Sequence, residues 1–314
     1  MIRNPASRRV PLLALLILSA CGGSDPEPAA VPTVGQTRIH VAGRLEDGHL
    51  DEASGIAASR RSPGTYWLID DDGPPRLYAI DATGADLGHV DVEGARNINF
   101  EDIAAFTLDG LPYLLIADIG DNDAKRRYLT VYVVAEPDPG AKKIAIAWTF
   151  DFSYPGGPAD AESLAVDAAA DQILVLTKRQ IPAVLQSLPL RPEGSEPLVA
   201  TRLGVVDSLP QPTQQDVALA LPRDFWWWQP TGMDISADGR AVVILTYGGV
   251  YYYRRTAGQD WIPALAAKPE VLVAGNYRKA ESVAFAPDTK SVFVTFEGRH
   301  AAVLRIDLDG VTTP

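Results

Sequence analysis

The stretch Ala117–Asp123, ADIGDND, sets three carboxylates and two turn-formers directly after the apolar run YLLI. Three chemistries fit such a loop. Asp118, Asp121 and Asp123, with Gly120 for a tight turn, could offer oxygens to a hard cation such as Ca²⁺, which takes about six to eight of them. They could border a catalytic centre in which a carboxylate acts as general base toward water. They could also be a solvated turn, since aspartate and asparagine are common turn residues. The loop is not an EF-hand, because it lacks both the D-x-D-x-D-G spacing and the closing glutamate.

The acids elsewhere in the chain recur in a pattern. Five segments share a polar residue, a small or acidic one, a large aliphatic, then Ala or Asp and an apolar residue: SGIAA from Ser54, EDIAA from Glu101, ESLAV from Glu162, TGMDI from Thr231 and ESVAF from Glu281. Each is followed by a polar turn and an apolar, β-rich run: TYWLID, PYLLIAD, QILVLTK, AVVILTY and SVFVTFE. A third strand generally follows, as in RLYAID and VYYYRR. Short strands separated by Asp-Gly and Pro-Gly turns predict a meander of antiparallel hairpins, and no long helical period competes with it after residue 20.

A repeat of this size built from strands is the signature of a β-propeller of four-stranded antiparallel blades. The starts lie 47, 61, 69 and 50 residues apart, which places insertions in the second and third blades. Only 33 residues follow Glu281, enough for three strands. The fourth strand of that blade is expected from TRIHVAGRL (37–45), which would close the ring and remove its exposed edges. The repeat count favours five blades over six. A pair of β-sandwiches is the competing architecture, and sandwiches do not repeat in this way.

In a propeller the start of each inner strand and the end of each second strand meet on one face. That rim gathers Glu52, Asp70, Asp71, Asp72, Glu101, Asp102, Asp118, Asp121, Asp123, Glu162, Glu281 and Glu297, with Lys178, Arg179, Arg299 and His300 among them. The candidate cation ligands are Glu52, Asp70, Glu101, Asp118 and Asp121; Ca²⁺ or another divalent cation is the expected cofactor, with no organic one. Glu101, Glu162 and Glu281 are the candidates for acid–base catalysis. Lys178, Arg179, Tyr247, Glu297, Arg299 and Trp227 are the candidates for holding a ligand. The glutamates have a structural alternative, capping backbone groups of a neighbouring blade. The run DFWWWQPTG (224–232) cannot turn all three tryptophans to one core, so at least one indole is expected at the surface or channel mouth. No G-x-S-x-G, HExxH, P-loop or G-x-G-x-x-G motif is present, and His40, His49, His89 and His300 are scattered.

The stretch DEASGIAASRRSPGTYWLIDDDG, with EDIAAF and LLIADIGDNDAKRRYLTVY, resembles a group of bacterial β-propeller proteins, many of them lipoproteins. The resemblance covers most of residues 50–305. More distantly the chain is similar to phytase-like and NHL-like propellers, including those described as having esterase-like activity of phytase. That resemblance implies six blades and a metal-dependent phosphoesterase or esterase at the rim. The residues themselves leave open whether the rim is catalytic or binds a ligand or protein partner.

The address is written at the start of the chain. Arg3, Arg8 and Arg9 precede the apolar run VPLLALLILSA, too short to span a bilayer permanently. Leu18-Ser19-Ala20-Cys21 resembles the lipobox of bacterial lipoproteins, and Cys21 is the only cysteine, so it has no internal disulfide partner. The expected organisation is a signal peptide over 1–20, a lipidated Cys21 with a Gly/Pro-rich tether over 21–35, and one propeller over 36–314. Acyl chains on Cys21 would anchor it to a membrane without a spanning helix. Gly22 after the cysteine, by resemblance to lipoprotein sorting, favours the outer membrane. Removing the three signal-peptide arginines takes the formal charge from −12 to about −15, which argues against nucleic acid and anionic lipid headgroups as partners.

Overall fold

The computed structural model describes residues 38–219 and 226–311. The signal peptide, Cys21 and the tether lie outside the described residues. Among the described residues no helix is long and apolar enough to cross a membrane.

Each repeat forms one antiparallel blade. Blade 1 comprises Ala53–Ala58, Thr65–Asp70, Arg76–Asp81 and Asp86–Glu93, and blade 2 comprises Phe100–Leu108, Leu111–Asp118, Leu129–Ala135 and Lys143–Ser153. Blade 3 is Ala161–Asp167, Gln172–Thr177, Ala183–Pro189 and Thr201–Val206; blade 4 is Pro230–Ile235, Ala241–Thr246, Gly249–Arg254 and Glu270–Ala274. Blade 5 takes Ala280–Phe285, Ser291–Phe296 and Ala302–Asp307 from the end of the chain. Its outer strand is Ile39–Arg44, paired antiparallel with Ala302–Asp307 from Ile39↔Ile306 to Arg44↔Ala302. The borrowed strand predicted from TRIHVAGRL is therefore in place, and it covers the edge that blade 5 would otherwise expose.

Five hydrophobic clusters hold the blades together, one in each gap of the ring. Trp67 and Ile69 of blade 1 meet Ile103 and Leu114 of blade 2, and Leu115 and Val131 meet Leu164 and Ile173 of blade 3. Leu174 and Leu176 meet Met233 and Ile244 of blade 4. Val243 and Leu245 meet Val283 and Val292 of blade 5. Finally Phe293 and Ala284 return to Ile56 and Tyr66 of blade 1. That return is the observation that makes the ring closed with five blades, against the six implied by resemblance. Each gap is filled from the two faces of facing sheets, so both faces of a blade are apolar and strands read as apolar runs rather than alternating ones.

The insertions account for the uneven spacing. In blade 2 the long outer strand Lys143–Ser153 pairs in parallel with Asp86–Glu93 of blade 1 and, at its other end, with the two-residue strand Leu198–Val199. Blade 3 is followed by the short helix Gln214–Leu219, and blade 4 contains the turn of helix Trp261–Leu265.

One local feature repeats in every blade. The register between inner and second strand slips by a residue at Ala53/Gly55, Phe100/Asp102, Ala161/Ser163, Pro230/Gly232 and Ala280/Ser282. The residues left unpaired at these five β-bulges are Ser54, Glu101, Glu162, Thr231 and Glu281, the first residues of the five sequence repeats. A bulge re-aims a side chain that strict alternation would send into the blade gap. The polar positions of the repeat are thus the positions at which the fold turns a side chain toward its axis.

Candidate functional site

The five bulge residues do two different jobs. Ser54 Oγ donates to the carbonyl of Phe100 (2.8 Å) and Thr231 Oγ1 to that of Ala280 (2.7 Å), each on the next blade. Those carbonyls belong to the residues just before Glu101 and Glu281, so the hydroxyls fix the backbone from which two of the glutamates project. The backbone-holding role considered for the glutamates falls to serine and threonine.

The three glutamates gather around one lysine. Lys178, the residue after the second strand of blade 3, forms an ion pair with Glu162 and donates to Tyr247 Oη at 3.0 Å. Tyr247, at the same position in blade 4, donates to Glu281 Oε1 at 2.5 Å. The Lys178 ammonium also lies 5.1 Å from the centre of the Tyr247 ring. Glu101 receives no hydrogen bond from any described residue, and its carboxylate lies within the electrostatic reach of Glu162, Lys178 and Glu281. Glu162 and Glu281 are each 5 % exposed.

This crowding governs protonation. Burial raises Glu162 to about 7, against the opposing pull of Lys178. Burial, with the neighbouring carboxylates, holds Glu101 and Glu281 well above the usual glutamate range. For Lys178 burial acts downward, but the glutamates outweigh it and the ammonium is held above its ordinary value. Tyr247 is raised by burial and by Glu281, so it stays a neutral donor. Three carboxylates share one ammonium, and the imbalance favours their protonated forms.

Beneath the glutamates the axis is crossed by Asp102. Its Oδ2 accepts from Leu164 N of blade 3 (2.7 Å) and Met233 N of blade 4 (3.4 Å), while Oδ1 accepts from Ile103 N (2.9 Å). One side chain therefore ties blades 2, 3 and 4, and burial raises it well above the aspartate range despite these donors.

The ADIGDND loop belongs to the wall of this site. Arg126 Nη1 donates to Asp118 Oδ1 and to the Gly120 carbonyl, both at 2.8 Å, and Asn99 N also donates to Asp118 Oδ1. Asp121 accepts from Lys125 N and Arg126 N at 2.8 Å each, and its own N–H donates to Asp160 Oδ1 at 2.9 Å. Arg179 closes the brace, donating to Asp160 Oδ2 at 2.6 Å and to Asn122 Oδ1. Gly120 is required by close approach: a Cβ there would lie 2.2 Å from Glu101 Oε1 and from Asn99 Oδ1. The loop is a turn in which Asp118 pairs with Arg126, Asp123 with Lys125, and Asp121 accepts from backbone N–H groups, and it presses against Glu101.

The other acids form a second group at the seam of blades 5 and 1. Asp71 lies near Glu52, Glu297 and Asp70; burial, then Glu52, raises it to about 8. Asp70 is raised to about 7, by burial first and then by Asp51 and Glu52. Glu297 links the groups, since it also acts on Glu281 and Tyr247. The five predicted cation ligands are thus divided: Glu52 and Asp70 at the seam, Glu101 at the axis, Asp118 and Asp121 in the braced loop. Among the described residues no three His, Cys, Asp or Glu side chains stand at metal-coordinating spacing. Arg299 is outside the core of the site, 3.7 Å from exposed Asp51, and His300 Nδ1 faces the Leu45 carbonyl.

The tryptophans divide as their crowding requires. Trp228 is buried between Trp226, stacked at 5.2 Å, and Trp227, edge-on at 5.4 Å. Trp227 is exposed and packs over Gly248, the residue after Tyr247, which brings an indole to the mouth. Tyr247, Asp160 and Asn99 carry much of the site's bonding. Of these only Tyr247 stood out in the sequence, through its place after the second strand; the same comparison of blades could have found Asp160 and Asn99, which both directly precede an inner strand.

No family model matches the chain, and no curated protein matches it. Among solved structures it is similar to the structure of U3-55K, with 13 % identity, covering 82 % of this chain and 68 % of that one, at a TM-score of 0.40. The propeller stands on the blade order and the cyclic packing described above.

Proposed function

We propose that this protein is an envelope lipoprotein, anchored through Cys21, whose propeller captures a cationic ligand at its acidic mouth. The observation that carries the reading is the charge imbalance around Lys178: three buried glutamates from three blades, one ammonium, and a Glu101 carboxylate with no donor among the described residues. A bound cation would replace the protons that now relieve the crowding. The lipobox-like sequence ending at Cys21 supports the anchor, and Gly22 after it supports the outer-membrane address.

The test is a thermal melt of the purified protein with EDTA and with titrations of Ca²⁺, Mg²⁺, Mn²⁺ and ethylammonium at pH 8. A saturable rise in Tm for one of these, absent in Glu101→Gln, is the expected result. A flat response to all four sinks the reading. Replacing Cys21 by serine should also remove the protein from the membrane fraction. A second reading, a phosphoesterase or carboxylesterase, is favoured by one feature: Glu162, raised to about 7 beside Lys178, is poised for proton transfer near neutral pH. Hydrolysis of nitrophenyl phosphate or acetate, lost in Glu162→Gln, would support it.

A further inference from the structure

The two acid groups of the mouth make a site with two heads. We propose that its ligand is a linear aliphatic diamine or longer polyamine, with one ammonium held by Glu101, Glu162 and Glu281 and the next by Asp70, Asp71 and Glu297. This rests on the reading of the mouth as a cation site and specifies the cation.

Acid clusters alone do not make a site, but both heads contain buried oxygens that no described residue satisfies. Glu162 is 5 % exposed and its Oε2 has no partner; Asp70 is 6 % exposed and its Oδ1 has none; the Oδ1 of Asp71 is likewise buried and unpartnered. A buried acceptor left without a donor is unfavourable, and more so when charged, so a donor from outside is the natural complement. An alkylammonium brings three N–H donors and a full charge.

Three features favour an extended organic cation over a metal ion. The carboxylates fall into two groups joined through Glu297, and no three of them stand at coordination spacing among the described residues. Lys178 already demonstrates how the first head treats an alkylammonium: it offers a carboxylate, a tyrosine hydroxyl and the face of the same ring. Trp227 is exposed and lies against Gly248, the residue after Tyr247, so its indole can give methylenes an apolar wall where a metal ion would need none.

Isothermal titration of the purified full chain at pH 8 and low salt tests this, with butane-1,4-diamine, spermidine, butylamine and CaCl₂ as probes. Expected is a diamine or spermidine affinity at least tenfold above that of butylamine, with the advantage lost in Asp70→Asn. Because Asp70 is buried, the exposed Glu52→Ala, which removes a carboxylate beside Asp70 and Asp71, serves as a second variant and should reduce the same ratio. Equal binding of butylamine and the diamine, or binding of Ca²⁺ alone, overturns the two-headed site while leaving the cation reading intact. No binding of any probe overturns both.

Discussion

Replacing Lys178 by methionine removes the one ammonium among Glu101, Glu162 and Glu281 while retaining an apolar stem. The lysine side chain is 7 % exposed and that of Glu162 is 6 %, so the variant leaves a carboxylate in the interior without its counter-ion. Breaking a buried pair from one side costs about 3–5 kcal/mol. The carboxylate can escape by keeping a proton, and the cost of that escape depends on pH. For a glutamate with an unfolded pKa of about 4.3 it rises by about 1.4 kcal/mol per pH unit, to roughly 1 kcal/mol at pH 5 and roughly 5 at pH 8. Because Glu162 in the native protein already keeps its proton up to about pH 7, the native fold carries the same cost below that pH; the variant should therefore lose little at pH 5, about 1.4 kcal/mol at pH 8 and about 2.7 kcal/mol at pH 9.

The direction follows from linkage. Glu162 is raised to about 7 in the native protein, so the folded chain binds its proton more tightly than the unfolded one. Its contribution to stability falls as pH climbs from the unfolded value through about 7, and is level above that. Without Lys178 the folded-state value moves higher, and the variant goes on losing stability between pH 7 and 9. Urea unfolding followed by tryptophan fluorescence at pH 5, 7 and 9, at constant salt, measures this. The double variant Lys178→Met/Glu162→Gln should recover most of the loss at pH 9. A loss below about 1 kcal/mol at pH 8, or one equal at pH 5 and 9, would refute the assignment of Lys178 as the shared counter-ion.

Two further perturbations probe the walls of the site. Gly120→Ala drives a methyl to within 2.2 Å of Glu101 Oε1 and Asn99 Oδ1; urea unfolding should show a loss of about 1–3 kcal/mol from overpacking, and any cation-induced rise in Tm should shrink with the displaced carboxylate. Asp70, at about 7, and Asp71, at about 8, make the native protein less stable as pH rises from the unfolded aspartate value of about 3.9 through these values. Asp70→Asn should flatten that decline in Tm over pH 5–8, and an unchanged slope would mean that Asp70 is already ionised.

Much of the fold was legible because a propeller repeats its constraints. The same inner-strand start, second-strand end and turn chemistry recur five times, so Glu101, Glu162 and Glu281 could be placed on one rim beside Lys178 and Tyr247 without coordinates. Bulges at those starts were not legible, since a slip of one residue leaves the apolar pattern almost unchanged. Partner choice was also hidden. Nothing in the spacing links Lys178 to Tyr247, 69 residues away, or sends Asp102 across the axis to blades 3 and 4. The acids of ADIGDND looked like cation ligands because the partners of two of them, Arg126 for Asp118 and Lys125 for Asp123, come from the residues just after the loop. The short helices Gln214–Leu219 and Trp261–Leu265 have too few turns for a helical period to register.

The bulge residues themselves supply the strongest argument that the mouth is functional. At one structural position the protein uses Ser54 and Thr231 in two blades and glutamate in three. Serine and threonine hold the neighbouring backbone with a single neutral hydrogen bond, a gain of about 1 kcal/mol without burying a charge. Glutamate at the same position makes no such bond, sits at 5 % exposure, and is raised by burial in all three cases. Burying three carboxylates around one lysine works against stability, and the fold shows in its own blades 1 and 4 that it does not need them. A repeated position that accepts this cost, with the cheaper solution present in the same ring, is best explained by what the carboxylates can hold. Ser54 and Thr231 then acquire a second meaning: by fixing the carbonyls before Glu101 and Glu281, the two structural blades position the glutamates of their neighbours.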